Sequence, residues 1–287
     1  MKEDLIKSNQ KIIELINSNK PFTVVRLGIG SETYMSYEYY KTHKLNPNYL
    51  HPKTRTLYNA GIYTRDGNLY KMSLFCGHYL RAIKYSDAIA SFTKIIDNQE
   101  NFFSKEFNIP QINSRAVEPF YIILENKIPW THTLKGKKVL VIHPFIDSFK
   151  KQQQNNFQLF SDSKLFLEDQ EFKFYKTFQT IAGNHIHNDW EETYNIMCDE
   201  ISKIDFDIAL LGCGGYGLPL CNFIKEKLNK SAIYVGGGLQ LLFGVMGNRW
   251  DNDFWNELIK KHNIKFIRPS GNEICNNLQT IENGCYW

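Results

Sequence analysis

The chain lacks any apolar run approaching the roughly 18–20 residues that a membrane-crossing helix needs. Its opening, M-K-E-D-L-I-K-S-N-Q, is charged where a secretory signal is apolar. It also lacks a C-x-x-C pair. Six cysteines, at positions 76, 198, 213, 221, 275 and 285, are scattered through 287 residues, which speaks against a zinc ribbon and against a disulfide-stapled secreted domain. No dense basic tract is present: 34 Lys and Arg stand against 30 Asp and Glu, a formal net charge of +4, so the charge pattern is not that of a nucleic-acid clamp. Internal repeats are missing, and the only low-complexity tract is the short Q-Q-Q-N-N that begins at Gln152. These absences predict a cytoplasmic protein in a reducing compartment, with neither a transmembrane segment nor a nucleic-acid partner. They leave the oligomeric state open.

What is there is an ordinary globular composition, 43% hydrophobic and 22% charged, on a chain long enough to bury about three quarters of its unfolded surface. The first eighteen residues read as an amphipathic helix, with Leu5, Ile12, Ile13 and Ile16 on one side. A strand over 22–27 runs into the turn G-I-G-S-E and a Tyr-rich helix, and residues 44–66, rich in Pro, Asn and Gly, read as loop. A helix is predicted over 68–84, a strand over 88–92 and a helix around 95–106. The near-continuous apolar run 139–142 predicts a strand buried on both faces. Then comes F-D-I-A-L-L-G-C-G-G-Y-G: a buried strand, a glycine-rich turn and a helix striped by Leu220, Phe223, Ile224 and Leu228. Strands over 232–235 and 264–267 complete the pattern. Alternating strands and helices imply an α/β, Rossmann-like fold with a mostly parallel sheet flanked by helices, whose sites lie beyond the carboxyl ends of the strands. The expected organisation is a single α/β domain over 1–287, with an N-terminal half 1–133 and a nucleotide-binding-like half 134–287.

The candidate residues stand at those strand ends. Gly212, Gly214 and Gly217 satisfy G-x-G-x-x-G between a strand and a helix, where bare backbone and a helix N-terminus can receive a phosphate. A dinucleotide site wants an acidic residue ending the next strand, and here that strand reads A-I-Y-V-G-G-G, which disfavours NAD. The competing reading is that the glycines only make a tight turn. A second cluster, G-G-G-L-Q, places Gly237, Gly238 and Gln240 at the neighbouring strand end, and Arg249 follows in G-N-R-W-D. Early in the chain, V-V-R-L-G-I-G-S-E-T sets Arg26 and Glu32 on either side of a turn holding Gly28, Gly30 and Ser31. Glu32 is suited to hold a metal or to deprotonate a hydroxyl, or simply to favour a helix N-terminus. His143 ends the central strand with Asp147 four residues on, placed to touch phosphate or sugar, or to satisfy loop carbonyls. Arg115 and Glu118 have the spacing of an ion pair on one helix face. H-I-H-N-D, from His185, has the look of a two-metal hydrolase motif. Trp190 stands where a further ligand is expected, so a polar loop or helix cap is the default.

Taken together, R-L-G-I-G-S-E, K-G-K-K-V-L-V-I-H-P-F, G-C-G-G-Y-G and G-G-G-L-Q resemble the GT-D type glycosyltransferases of surface-polysaccharide synthesis. The resemblance implies a Rossmann-like fold and transfer of a sugar from a nucleotide donor, often UDP-linked, to a hydroxyl of a glycan acceptor. It implies Glu32 as catalytic base or as ligand of a divalent cation, Mn2+ or Mg2+. Arg26, Arg249 and the glycine turns, with Gln240 and Asp147, then hold the donor, and His143 supports the leaving group. The family's early segment is R-x-G-D-G-E. An ungapped match puts Ile29 at the Asp position and Ser31 at the Glu position, with Glu32 one residue later. A NAD-dependent oxidoreductase and a non-catalytic nucleotide-binding scaffold are the alternatives.

Overall fold

The computed structural model describes residues 2–28, 32–50, 59–92, 97–167 and 170–287. Helix α1 (Lys2–Asn17) precedes strand β1 (Thr23–Val25), which leads through the Arg26–Gly28 segment to α2 (Glu32–Thr42). Helix α3 (Leu69–Lys84) begins at Asn68, whose side chain accepts from the Tyr70 amide as an N-cap. There follow β2 (Ala88–Ser91), α4 (Asp97–Glu106), β3 (Gln111–Asn113) and the short α5 (Phe120–Leu124). The later part of the chain carries β4 (Lys138–His143), α6 (Ile146–Gln154), β5 (Glu171–Lys176), α7 (Trp190–Ser202), β6 (Ile208–Leu211) and α8 (Gly217–Glu226). Strand β7 (Ser231–Tyr234), α9 (Leu239–Leu242) and α10 (Asp253–His262) complete it.

The strands form one seven-stranded sheet in the order β3-β2-β1-β7-β6-β4-β5, and every pairing is parallel. Parallel strands need both faces covered, and successive residues of one strand divide between two cores. Val139 and Val141 of β4 pack with α1, α5, α6, α9 and α10, whereas Leu140 and Ile142 pack with α2, α3, α4, α7 and α8. The connection leaving β4 therefore crosses one face outward to β5, and the one leaving β6 crosses the other face back to β7. Strand order reverses between β4 and β6, and a crevice opens beyond their carboxyl ends, as in other doubly wound sheets.

Two sequence expectations need correcting. Residues 264–267 do not join the sheet. Ile267 makes an isolated parallel bridge with Val245, and its amide donates to Gly244 O at 3.0 Å. Its ordered partner is thus the irregular segment after α9. Arg115 and Glu118 do not pair; Arg115 lies over the Tyr121 ring, 4.7 Å from its centroid. Strands β3 and β5 and helices α5, α6, α7, α9 and α10 are additions to the sequence reading.

The H-I-H-N-D segment is a loop and a cap. His185 stacks on Tyr63 with ring centroids 4.0 Å apart, the His187 ring meets the Thr193 hydroxyl at 2.9 Å, and Asp189 Oδ1 accepts from the Glu192 amide at 3.0 Å as the N-cap of α7. Asp189 Oδ2 takes the Lys71 ammonium, which binds α3 to α7. Asp189→Ala should lose about 1–2 kcal/mol, the worth of a cap, seen as a melting temperature lower by a few degrees. Asp189→Asn keeps the cap acceptor and should lose less; equal losses would show that capping contributes nothing there.

Candidate functional site at the carboxyl edge of the sheet

The turn after β1 is tied down before it reaches solvent. Gly28 N–H donates to the Tyr79 hydroxyl at 3.0 Å, and the Thr33 hydroxyl donates to Gly28 O at 2.7 Å. Thr33 has then spent its proton, so in the 2.7 Å contact between the two hydroxyls Tyr79 is the donor. This closed cycle joins the turn to α3. It also sets the start of α2, where Glu32 folds back over the turn: a Cβ on Gly28 would sit 2.0 Å from Glu32 Oε1. Glycine at position 28 leaves the space of a side chain to the Glu32 carboxylate. Glu32 is buried, with 9% of its surface exposed, at the wall of the crevice.

Arg26 leaves the end of β1 beside it. Its Nη1 donates to Glu118 Oε1 and to Val235 O, both at 2.9 Å, and its guanidinium covers the Phe92 ring at 4.2 Å. Arg249 reaches the same space from the far side. It lies 4.5 Å over the Tyr286 ring and pairs with Glu282 at 2.6 Å. Arg26, Glu32 and Arg249, with Gly28, Gly236 and Gly237, bound a cleft of about 270 Å³. Both arginines come to it with a carboxylate already attached.

A second cavity, of about 100 Å³, adjoins the first at the reversal point between β4 and β6. His143, Gly212, Gly214, Gly237 and Gln240 wall it, and Asn59, Ala60, Gly214, Tyr234, Gly237 and Tyr286 belong to both compartments. His143 is 3% exposed, its Nδ1 accepts from the Phe145 amide at 3.0 Å, and burial pulls its pKa down to about 3. It is a neutral imidazole across the physiological range.

The structure thus gathers Arg26, Gly28, Glu32, His143, Gly212, Gly214, Gly237, Gln240 and Arg249 around one crevice. Other expected residues stand apart from its walls. Asp147 pairs with Lys176 at 2.5 Å, and that ammonium also reaches Asn272. Lys176 holds the carboxyl below its usual range. Gly217 lies under the Tyr234 ring, where a Cβ would meet a ring carbon at 2.2 Å, and Gly238 lies against Glu118, 2.4 Å from Oε1 by the same measure. Gly30 and Ser31 lie outside the described residues.

The G-C-G-G-Y-G turn is occupied by the protein itself. Gly215 N–H, a donor that a phosphate would want, donates to Ala60 O at 2.9 Å, and Gly214 O accepts from the Tyr234 hydroxyl at 2.9 Å. Its glycines serve close packing: Gly214 has φ +58, and a Cβ at Gly212 would meet Gly236 O at 2.7 Å. Sequence reading named Glu118 but gave it Arg115 as its partner, and it missed Thr33, which is local to the turn, and Tyr79, Tyr234 and Tyr286, which come from distant parts of the chain. Only the alternation of Gly with Tyr near strand ends hints at them.

Of the carboxylates that could hold the divalent cation implied by the family resemblance, Glu32 and Glu282 line the cleft. Among the described residues, no group of three His, Cys, Asp or Glu side chains converges, and Ile29 stands at the position of the family's Asp.

A parallel seven-stranded α/β sheet with a polar crevice at its carboxyl edge defines a Rossmann-like fold, and the crevice lies where such folds bind their ligands. Residues 7–242 match the family described as GT-D fold-like domain. The chain belongs to that family, which makes it glycosyltransferase-like. Searches of curated proteins and of solved structures gave no match. Among the described residues no helix is long and apolar enough to cross a membrane.

The hydroxyl cycle gives a direct test of the turn. Tyr79→Phe leaves the Gly28 amide without its acceptor, at a cost of about 1–3 kcal/mol, and Thr33→Val should lose a similar amount. Because both sit in one cycle, the double variant should fall short of the sum by about 0.5 kcal/mol or more. Strict additivity in urea denaturation would show that the cycle does not act as a unit.

Proposed function

We propose that the chain is a glycosyltransferase of the cytoplasm that moves a sugar from a nucleotide-sugar donor, UDP-linked in the first instance, to a hydroxyl of a glycan acceptor. The observation that carries this reading is the convergence of Glu32, Arg26 and Arg249 on one cleft in a chain of this family. Sugar transfer needs a group to take the proton from the acceptor hydroxyl and compensating charge for the departing diphosphate. In this reading the Glu32 carboxylate takes the proton as the acceptor oxygen bonds to the anomeric carbon. The bond from that carbon to the diphosphate breaks, and the electron pair leaves with the diphosphate. Arg26 and Arg249 receive its oxygens through N–H groups not committed to Glu118 and Glu282, together with the bare backbone at Gly236 and Gly237. No step is assigned to a divalent cation.

Glu32→Gln should lower kcat by about 10²–10⁴-fold, the worth of a positioned base. Donor affinity and melting temperature should stay near wild type. Turnover close to wild type would remove Glu32 from the chemistry. A thermal-shift panel of UDP, GDP and their sugars should raise the melting temperature, since selective binding stabilises the native state. The shift is expected to survive EDTA; a strict requirement for manganese would show that a cation completes the cleft. Stabilisation without transfer or donor hydrolysis would mark a binding scaffold, and a response to NAD alone an oxidoreductase.

Arg249 offers an independent check, because its anionic partner is part of the chain. Arg249→Ala should weaken binding of a nucleoside diphosphate by roughly tenfold or more, as expected for loss of a charge-assisted hydrogen bond. Glu282→Gln should tighten it a few-fold by removing the competing carboxylate, a modest gain because Glu282 is exposed and screened. Titration calorimetry reads both, and weakening in Glu282→Gln would show that this carboxylate assists binding.

A further inference from the structure

The two compartments of the crevice differ in chemistry. The wider one holds Arg26, Glu32, Arg249 and Glu282, whereas among the described residues no Lys, Arg, Asp or Glu lines the smaller one. Its walls combine the aromatic rings of Phe145, Phe178, Tyr234, Tyr286 and Trp287 with the side chains of His143, Gln179 and Gln240. The proton on His143 is placed by geometry. The Phe145 amide donates to Nδ1 at 3.0 Å, so the neutral ring carries its hydrogen on Nε2. Nε2 makes no hydrogen bond among the described residues and is not enclosed, so it is a donor available at the cavity.

The two glutamines bring the opposite polarity. Gln240 Nε2 donates to Tyr286 O at 3.0 Å and Gln179 Nε2 to Glu273 O at 2.9 Å. Those carbonyl partners fix which end of each amide is nitrogen. Both Oε1 atoms are left enclosed and without a hydrogen bond among the described residues, and Gln240 has no exposed surface at all. An enclosed acceptor left unpaired destabilises the chain that carries it. Two of them in side chains that wall one cavity, beside a free imidazole N–H, are a set of groups short of a partner.

We propose that the smaller cavity seats the nucleobase of the donor, and that it selects a ring bearing a carbonyl beside an N–H, the lactam edge of uracil or guanine. His143 Nε2–H donates to the ring carbonyl and the ring N–H donates to a glutamine Oε1, which is enclosed in the free chain and comes to the cavity only as the amide turns from its carbonyl partner. The aromatic walls take the faces of the ring. A phosphate is disfavoured, because among the described residues the cavity offers it acceptor oxygens and no cation. Tyr286, common to both compartments, then lies between base and diphosphate, and His143 is a reader of the base, at the far end of the crevice from the anomeric carbon. This assignment rests on the nucleotide-sugar reading above.

The test is titration calorimetry on the full chain with UDP, GDP, ADP and inorganic diphosphate, for the wild type, Gln240→Leu and His143→Phe. Wild type should bind UDP or GDP at least tenfold more tightly than ADP, which has no ring carbonyl. Gln240→Leu should cost that nucleotide about tenfold while affinity for inorganic diphosphate stays put. His143→Phe should abolish the preference over ADP. Should that variant fail to fold, the wild-type preference and Gln240→Leu still decide the matter. If the wild type binds no nucleoside diphosphate at all, the donor reading itself falls. Should it bind all three alike, with Gln240→Leu changing nothing or weakening inorganic diphosphate equally, the donor reading stands and the base assignment is overturned.

Discussion

Arg26 leaves β1 with one nitrogen committed twice, to the Glu118 carboxylate and to the Val235 carbonyl, both at 2.9 Å. Glu118 follows β3, and Val235 follows β7. One guanidinium therefore fastens together the chain leaving three strands, two of which, β1 and β7, are neighbours in the sheet. Both charged side chains are largely enclosed, with exposures of 17% and 13%. Breaking such a pair by removing one partner costs about 3–5 kcal/mol, because the other charge is left buried. The clasp matters for geometry more than for net stability. It places the 235–238 backbone, and with it Gly236 and Gly237, across the crevice from Glu32.

Around that clasp the carboxyl edge is packed until the only residue that fits at several points is glycine. Gly28 yields its side-chain space to Glu32, Gly212 to the Gly236 carbonyl and His143, and Gly237 to Tyr286, each at 2.7 Å or less from where a Cβ would stand. Three strand ends, those of β1, β6 and β7, and the 285–287 segment are thereby brought to one crevice. The same crowding explains why the G-x-G-x-x-G turn is not itself a phosphate cradle. Ala60 supplies its carbonyl to the Gly215 amide and Tyr234 covers Gly217, so the donors that a helix N-terminus usually offers an anion are spent inside the protein.

The parts of the fold legible in the sequence are those whose signal is local. The apolar run of β4 reads as a strand because a parallel strand is buried on both faces, and the Arg26, Glu32 and Arg249 positions follow from strand ends in that pattern. Strand β5, E-F-K-F-Y-K, sits at the sheet edge, where alternating Lys and Phe blur the run that marks a central strand. Residues 264–267 carry a strand-like composition, yet their partner is the irregular backbone near Gly244, a tertiary choice with no local mark. Glu118 shows the limit most sharply. Three-residue spacing favours Arg115, but the 3-10 turn ends at Val117 and Glu118 has left helical backbone, with φ −103 and ψ 85, and the true partner is 92 residues away. The choice is decided by burial beside β1, which only the assembled sheet creates.

What the crevice discriminates follows from how its charges are already spent. Arg26 faces Glu118 and Arg249 faces Glu282 before any ligand arrives, so an anion entering the wide compartment must displace an internal carboxylate or share its cation. A free phosphate gains little by that exchange, since it trades one anion for another and must also shed its hydration. A ligand that enters the neutral cavity as well adds the burial of a ring against Tyr286 and Trp287, a term that no internal group supplies in its absence. Glu282 belongs to the same 281–287 segment as those rings, so loss of one contact and gain of the other are read by a single stretch of chain. On the nucleotide-sugar reading proposed above, the pre-paired arginines act against bare phosphate, and the smaller cavity supplies the surplus that lets a larger, two-part ligand win.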